Sequence, residues 1–426
     1  MANDGKAMAD GANDDLDRAL KAALDAVAPA ARMPDVGAVS APRSNGGGRG
    51  RTGVVAFGKA AGEMTRVALE ILAEPPAFAF AATRAGHAPA GLPSEVELIE
   101  AGHPHPNENS LRAGARALEL AQTLGAGDRL LALASGGGSA TLCAPAHGVS
   151  FDEKLAVAAA LHRKGCPIGA MNAVRSALSR VKGGRLGAAA NGAFVETLII
   201  SDAPGAAPHV VASGPTAPPV EAPRALDVVE RYGLTLSDAA LAACARPAPA
   251  AFPHRVEIIA RADDALQAAT EALAADYEIV NLGGALEGDA AEMGRAHAEK
   301  AINLKSRGRR AALLSGGETT VALPPAGAGR GGRNTTYLLA LAIALDGAAG
   351  VHALAVDTDG IDGSEDNAGA RIAPDTLARA LALGLDAAGA LARADAYAVF
   401  AALGDLVVTG PTMTNVNDLR IVLIDP

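Results

Sequence analysis

The chain is predicted to be an α/β protein of two domains. Three observations carry this: short unbroken apolar runs, Ala-rich helical stretches between them, and a length of 426 residues, more than one ordinary core. The runs are GVVAF (53–57), VELIE (96–100), RLLALA (129–134), TLIIS (197–201), VEIIA (256–260), YEIVNL (277–282), AALLS (311–315), HALAVD (352–357) and LRIVLI (419–424). Continuous apolar strands separated by helices predict parallel sheets covered on both faces. A first helix is expected over 14–28, then a Pro/Gly-rich loop over 34–51 containing SNGGGRG. The segment CARPAPAAFPHR (244–255) reads as a linker, because its prolines cannot continue a helix. The domains are therefore set at 1–245 and 246–426. Two short echoes relate the halves: RLLALASGGGSA with AALLSGGETT, and ASGPT (212–216) with VTGPT (408–412).

Composition narrows the function. Half the residues are hydrophobic, none is Trp and 3% are aromatic, so Ala, Leu and Val must fill the cores. A net charge of −10 argues against nonspecific nucleic-acid binding. It leaves room for an anionic small molecule at a local cluster of Lys and Arg. The three cysteines, Cys143, Cys166 and Cys244, are widely spaced and suggest neither a zinc site nor a disulfide framework. The N-terminus is acidic with no apolar core, and the apolar stretch 338–345 is too short for a bilayer. A cytoplasmic protein is expected, with no membrane partner.

The chemistry gathers at strand ends. In parallel sheets ligands bind beyond the carboxyl ends of strands. GVVAFGKAAGE (53–63) has the outline of a Walker loop, but VVAF is a strand and Ala60 stands where a metal-binding hydroxyl is needed. Lys59 still leaves a strand end beside a Gly turn, aimed at an anion. ASGGGSATL (134–142) offers Ser135, Gly136, Gly137, Gly138 and Ser139 as a backbone nest for a phosphate or a carboxylate. The run 172–186 carries Arg175, Arg180, Lys182 and Arg185, which also suit the C-terminal end of a helix.

LIISDAPG (198–205) and ALAVDTDGIDG (353–363) put Asp202, Asp357, Asp359 and Asp362 after apolar strands. There they could bind Mg²⁺ or accept a hydroxyl proton, or serve as turn residues and caps. Gly327, Gly329 and Gly332 spell GxGxxG, but Pro324 and Pro325 spoil the strand-to-loop junction of a dinucleotide site. With Arg330 and Arg333 before a helix, Gly331, Gly332 and Asn334 suit several phosphates better. His103 and His105 lie between prolines at no usual metal spacing, which suggests a rigid loop.

Taken in order, FGKAA, GHPHPNENS, SGGGSA, NAVRSALSRVKGGRL, SDAPG, ASGPT, SGGETTV, GRGGRN, DTDGIDG and TGPTMTNVND resemble the blocks of the class II glycerate kinases, whose C-terminal part is called MOFRL. The likeness spans almost the whole chain. It implies a Rossmann-like N-terminal domain, a smaller C-terminal α/β domain and an active site in the cleft between them. It implies transfer of the ATP γ-phosphoryl group, with Mg²⁺, to D-glycerate to give 2-phosphoglycerate. Lys59 and Arg333 become the leading catalytic residues, with Asp202 or Asp359 holding the metal or orienting the hydroxyl. The expected partners are glycerate and ATP, and a homodimer is allowed.

The chain departs from the family pattern at Ala206 and Ala207 (two acids), Asn107 (Asp), Ser176 and Ala177 (Lys-His) and Thr336 (Glu). The rival readings are a hydroxypyruvate reductase using NAD(P)H and a non-catalytic sugar-acid binding protein.

Overall fold

A computed structural model describes residues 2–33, 50–219, 221–324, 327 and 329–426. All but the last two residues of the loop expected at 34–51 lie outside the described residues, as does Pro325. The chain forms two compact units, Pro29–Ile259 and Met1–Ala28 with Ala260–Pro426.

The first unit is built on β1 (Thr52–Phe57), β2 (Phe78–Arg84), β3 (Val96–Ala101), β4 (Arg129–Ser135), β5 (Phe194–Ile200) and β6 (His254–Ala260). Among the described residues these six strands run in the order β3-β2-β1-β4-β5-β6. Strands β1 to β5 pair in parallel. This is the order of a doubly wound nucleotide-binding sheet, whose ligand crevice opens where the winding reverses, here between β1 and β4. β4 is buried at every residue, as its unbroken apolar run requires. β2 has the sequence FAFAATR; its alanines hide the strand from a periodicity search, since Ala is also the best helix former.

The second unit holds β7 (Glu278–Asn281), β8 (Leu286–Asp289), β9 (Ala311–Thr320), β10 (Val351–Asp357), β11 (Gly369–Ile372), β12 (Leu406–Val407) and β13 (Asp418–Ile424). Their order is β12-β11-β10-β13-β9-β7, with β8 also on β9. The expectation of a parallel sheet holds here only for β7 and β8 against β9. β13 runs antiparallel to both β10 and β9, and β10 is antiparallel to β11. The cause is local: the chain between β10 and β11 is the DTDGIDG segment, with no helix to make the crossover a parallel pair needs. The helix Arg333–Leu345, buried from Asn334 to Ala342, forms the middle of this unit's core.

The division differs from the expected break at 245/246 in two respects. The Pro-rich segment leads into β6, which joins the first sheet beside β5, so it stays within the first unit. The N-terminal helix, Ala2–Val27, belongs to the second unit and packs on the helix Ala262–Leu273. Its buried residues Ala12, Leu16, Ala19, Ala23 and Val27 recur every three or four positions, as an amphipathic helix requires. Tyr277 donates to Asp15 at 2.9 Å, and Arg18 pairs with Asp276 at 2.9 Å.

The β1–β4 crevice depends on one backbone position. Gly58 has φ +113°, and a Cβ there would stand 2.4 Å from the Ser135 carbonyl and hydroxyl oxygens. Gly58→Ala is expected to destabilise the chain by more than about 1 kcal/mol. Urea unfolding with an unchanged m-value would measure it, and a midpoint equal to that of the parent would refute it.

Candidate active site

In the first unit the ends of β1 and β4 are stitched together by their turns. The Lys59 amide donates to the Gly136 carbonyl at 2.9 Å, and the Ala60 amide to the Ser135 hydroxyl at 3.0 Å. Gly137 takes φ +81°, which a side chain would strain. A Cβ on it would also lie 3.0 Å from the His103 ring and 3.2 Å from Lys59 Cγ. Lys59 and His103 therefore flank the glycine nest. The sequence pointed to Lys59 but read His103 as part of a rigid loop; its place after β3 becomes informative only once β2 sets the strand order.

At the end of the nest, Ser139 is a hub. Its hydroxyl accepts from Arg175 Nη2 and, at 2.7 Å, from Lys182 Nζ, which also reaches the Ser139 carbonyl at 2.7 Å. It lies 3.2 Å from the Ser213 hydroxyl. Ala212 and Ser213 hold φ values of +54° and +61°, uncommon for residues with a side chain. The Gly183 and Gly184 amides brace that turn through the Ser213 and Gly214 carbonyls, at 3.0 and 2.7 Å. Backbone strain of this kind gathers at ligand sites.

The basic run therefore does more than complement a helix dipole. The helix ends at Ala177, and Lys182 lies beyond it with only 1% of its surface exposed. Burial, then Arg175 and Lys154, push the Lys182 ammonium well below its usual range. Burial likewise lowers Arg175 and takes Lys154 to about 8. Neither Lys154 nor Lys182 was singled out as a site residue from the sequence. Beside this cluster a cavity of about 650 Å³, lined in part by Asn172, Ser213, Arg185 and Arg246, has the size of a small-molecule site.

The second unit presents a different balance at its strand ends. Arg333 opens the buried helix and is held by carboxylates: Nε on Asp418 at 2.8 and 2.9 Å, Nη2 on Asp357 at 2.6 Å, and Nη1 3.6 Å from Glu318. These acids keep the guanidinium firmly charged against the opposing effect of burial. Asp418 also accepts from Asn334 Nδ2 at 2.8 Å and pairs with the buried Arg420.

The helix start is already occupied. Asp362 accepts from the Asn334 and Thr335 amides, both at 2.9 Å, and burial pushes its carboxyl up despite those bonds. A Cβ on Gly332 would stand 2.2 Å from the Asp362 carboxylate. Of the expected phosphate loop of Gly331, Gly332 and Asn334, the Asn334 amide carries the chain's own carboxylate, the Gly332 amide donates to the Thr335 hydroxyl at 3.1 Å, and Gly332 makes room for Asp362.

Asp359 is 1% exposed and accepts the Ile361 amide at 2.8 Å, the geometry of a turn residue. Asp202, partly exposed, follows β5 in the first unit. Among the described residues no group of three or more His, Cys, Asp or Glu is arranged to hold a metal. No helix among them is long and apolar enough to cross a membrane. Asn107, where the family pattern has Asp, accepts the Ser110 amide at 3.1 Å and caps the helix Glu108–Gln122, a task Asn performs as well as Asp.

A doubly wound sheet with a glycine nest at its switch point and basic groups behind it defines an α/β protein that binds anionic small molecules. Residues 15–245 match a domain of unknown function, DUF4147, and residues 311–418 match the MOFRL family. The D-glycerate 2-kinase of Thermotoga maritima is 37% identical over 87% of this chain and 90% of its own length. A protein of Agrobacterium vitis named putative hydroxypyruvate reductase is 45% identical over 88% of both. The crystal structure of the Thermotoga maritima glycerate kinase superposes with a TM-score of 0.84 at 35% identity, covering 95% of this chain and 97% of that one. The chain belongs to the class II glycerate kinase family, with the MOFRL family as its C-terminal part.

The cap on the buried helix can be tested alone. Asp362→Ala removes the acceptor of two buried amides and is expected to destabilise the chain by about 1–2 kcal/mol. Asp362→Asn, which keeps an acceptor, should lose less. Equal unfolding midpoints for the Ala variant and the parent would show that the cap contributes nothing.

Proposed function

We propose that the chain is a glycerate kinase that transfers the ATP γ-phosphoryl group to the 2-hydroxyl of D-glycerate. The observation that carries the reading is the Ser135–Ser139 nest at the β1/β4 switch point, with Lys59 against Gly137. Phosphoryl transfer asks the protein mainly for positioning and charge neutralisation. The nest amides and Lys59 meet the first demand, and Lys59 the second.

Arg333 has its Nε and Nη2 committed to acids and only a 3.6 Å ion pair at Nη1. Nη1 is the end proposed to meet the phosphoryl group, with Asp418 and Asp357 fixing its direction. Mg²⁺ suits the reaction by screening phosphate charge, and it commonly takes one or two carboxylates plus phosphate oxygens. Asp202 fits such a part, being partly exposed at a strand end. Asp359, buried with its carboxylate on a turn amide, fits less well. Three buried thiols are compatible with a reducing, cytoplasmic setting.

The reductase reading would need a nicotinamide dinucleotide. The GxGxxG of Gly327, Gly329 and Gly332 precedes amides that Asp362 occupies, and a pyrophosphate there would meet a carboxylate. The binding-protein reading leaves Lys59 without a task. The expected outcome is Mg²⁺-dependent ADP formation from ATP and D-glycerate, with no NADH oxidation by hydroxypyruvate. NADH turnover without ADP formation would overturn the proposal.

A second measurement tests Lys59 and Arg333 as catalytic residues. Arg333→Ala would strand two buried carboxylates, so Arg333→Lys is the cleaner change. Lys59→Ala and Arg333→Lys should each lower kcat by up to about 10³, more than they raise the nucleotide KM. A single variant within a few-fold of the parent would remove that residue from the reaction centre.

A further inference from the structure

Arg175 and Lys182 hold the Ser139 hydroxyl, and Lys154 lies close enough to both to act on their charge, with no acid to balance the three. Lys154 comes from the helix Phe151–Arg163, Arg175 from the helix Ile168–Ala177, and Lys182 from the turn that follows. Lys154 and Lys182 are 7% and 1% exposed. Among the described residues none of the three makes an ion pair with Asp or Glu, and the Lys154 ammonium makes no hydrogen bond. The neighbouring Glu153 carboxylate is spent on Ser237, at 2.8 Å to both its amide and its hydroxyl. Buried like charges without a counterion oppose folding, so their presence together points to a ligand that brings negative charge.

We propose that Ser139, Lys154, Arg175 and Lys182 form an oxyanion pocket that takes up a proton as it fills, and that its oxyanion is the carboxylate of the acceptor substrate. The carboxylate assignment rests on the kinase reading: with the phosphoryl group at Lys59 and Gly137, Ser139 lies two residues further along, where the other end of a short hydroxy acid would reach. A planar guanidinium such as Arg175 matches a two-oxygen acid.

The proton follows from the surroundings. Burial takes the Lys154 ammonium down to about 8, with Arg175 adding to the fall and the Cys143 thiol opposing it. Lys182 is likewise lowered by burial, Arg175 and Lys154, again against Cys143. An incoming anion reverses these effects and favours the charged amines. At pH 8 roughly half of the Lys154 population is neutral in the empty pocket and gains a proton on binding. Above pH 8 affinity should fall, because more protons must be taken up.

The test is calorimetric titration of the full chain with D-glycerate at pH 8, in two buffers of different ionisation heat. The expected result is uptake of roughly half a proton or more per site, shrinking toward pH 7. Lys154→Met should bind D-glycerate at least tenfold more weakly with less uptake, while melting no lower than the parent, since it removes a buried charge. Buffer-independent heats, or unchanged D-glycerate binding by a folded Lys154→Met, would overturn the pocket. Uptake with ATP alone but not with D-glycerate would overturn the carboxylate assignment in favour of a phosphate. A chain that makes ADP from D-glycerate without uptake refutes the pocket only. One that binds with uptake yet forms no ADP refutes the kinase reading only.

Discussion

The close approach of two backbone turns, at the ends of β1 and β4, is the constraint on which the first unit's site depends. Lys59 N to Gly136 O and Ala60 N to Ser135 Oγ, 2.9 and 3.0 Å, leave no room for a side chain at Gly58. The stitch fixes where Lys59 leaves its strand and which way the following glycines turn. The strained Ala212–Gly214 turn and the buried cations are arranged around that point, through Ser139. Strain and uncompensated charge both lower stability, and the fully buried strand β4 beneath supplies the rigidity that lets the chain carry them.

The two units solve their electrostatics in opposite ways. In the second, the buried arginines of the site meet acids: Arg333 has Asp418, Asp357 and Glu318, and Arg420 has Asp418. Such a network orients a guanidinium and fixes its charge, but it leaves little net field. In the first unit Lys154, Arg175 and Lys182 have no acid, so their field is available to a ligand, and their amines are lowered in consequence. A group that positions and a group that attracts need different surroundings, and the chain provides both kinds.

Much of the architecture was legible in the sequence, for reasons that also mark where legibility stopped. The long apolar runs of β1, β4, β10 and β13 announce buried strands. Direction does not follow from apolarity: β10 and β11 are antiparallel because no helix separates them, and β13 is antiparallel to β10. The Ser135–Ser139 nest could be read because three glycines in a row have few other uses. Lys154 and Lys182 could not, since a basic residue in or beyond a helix usually faces water, and burial is a property of the fold. Asp362 could be read as a cap, but not as the cap of the helix Arg333–Leu345, far earlier in the chain.

The departures from the family pattern fall where the fold does not need the missing groups. Thr336 satisfies its own hydroxyl on the Gly332 carbonyl at 2.8 Å, so a buried position that often carries an acid is here neutral and needs no partner. Ala206 and Ala207 lie in turns closed by backbone alone, Ala206 N to Ala203 O at 3.2 Å and Val210 N to Ala207 O at 2.9 Å. The loop after β5 therefore keeps its shape without the two acids, and Asp202 remains the first acid after that strand. A cation held there would draw most of its ligands from the phosphates it screens. Metal affinity in this chain should accordingly depend more on bound nucleotide than on the loop itself.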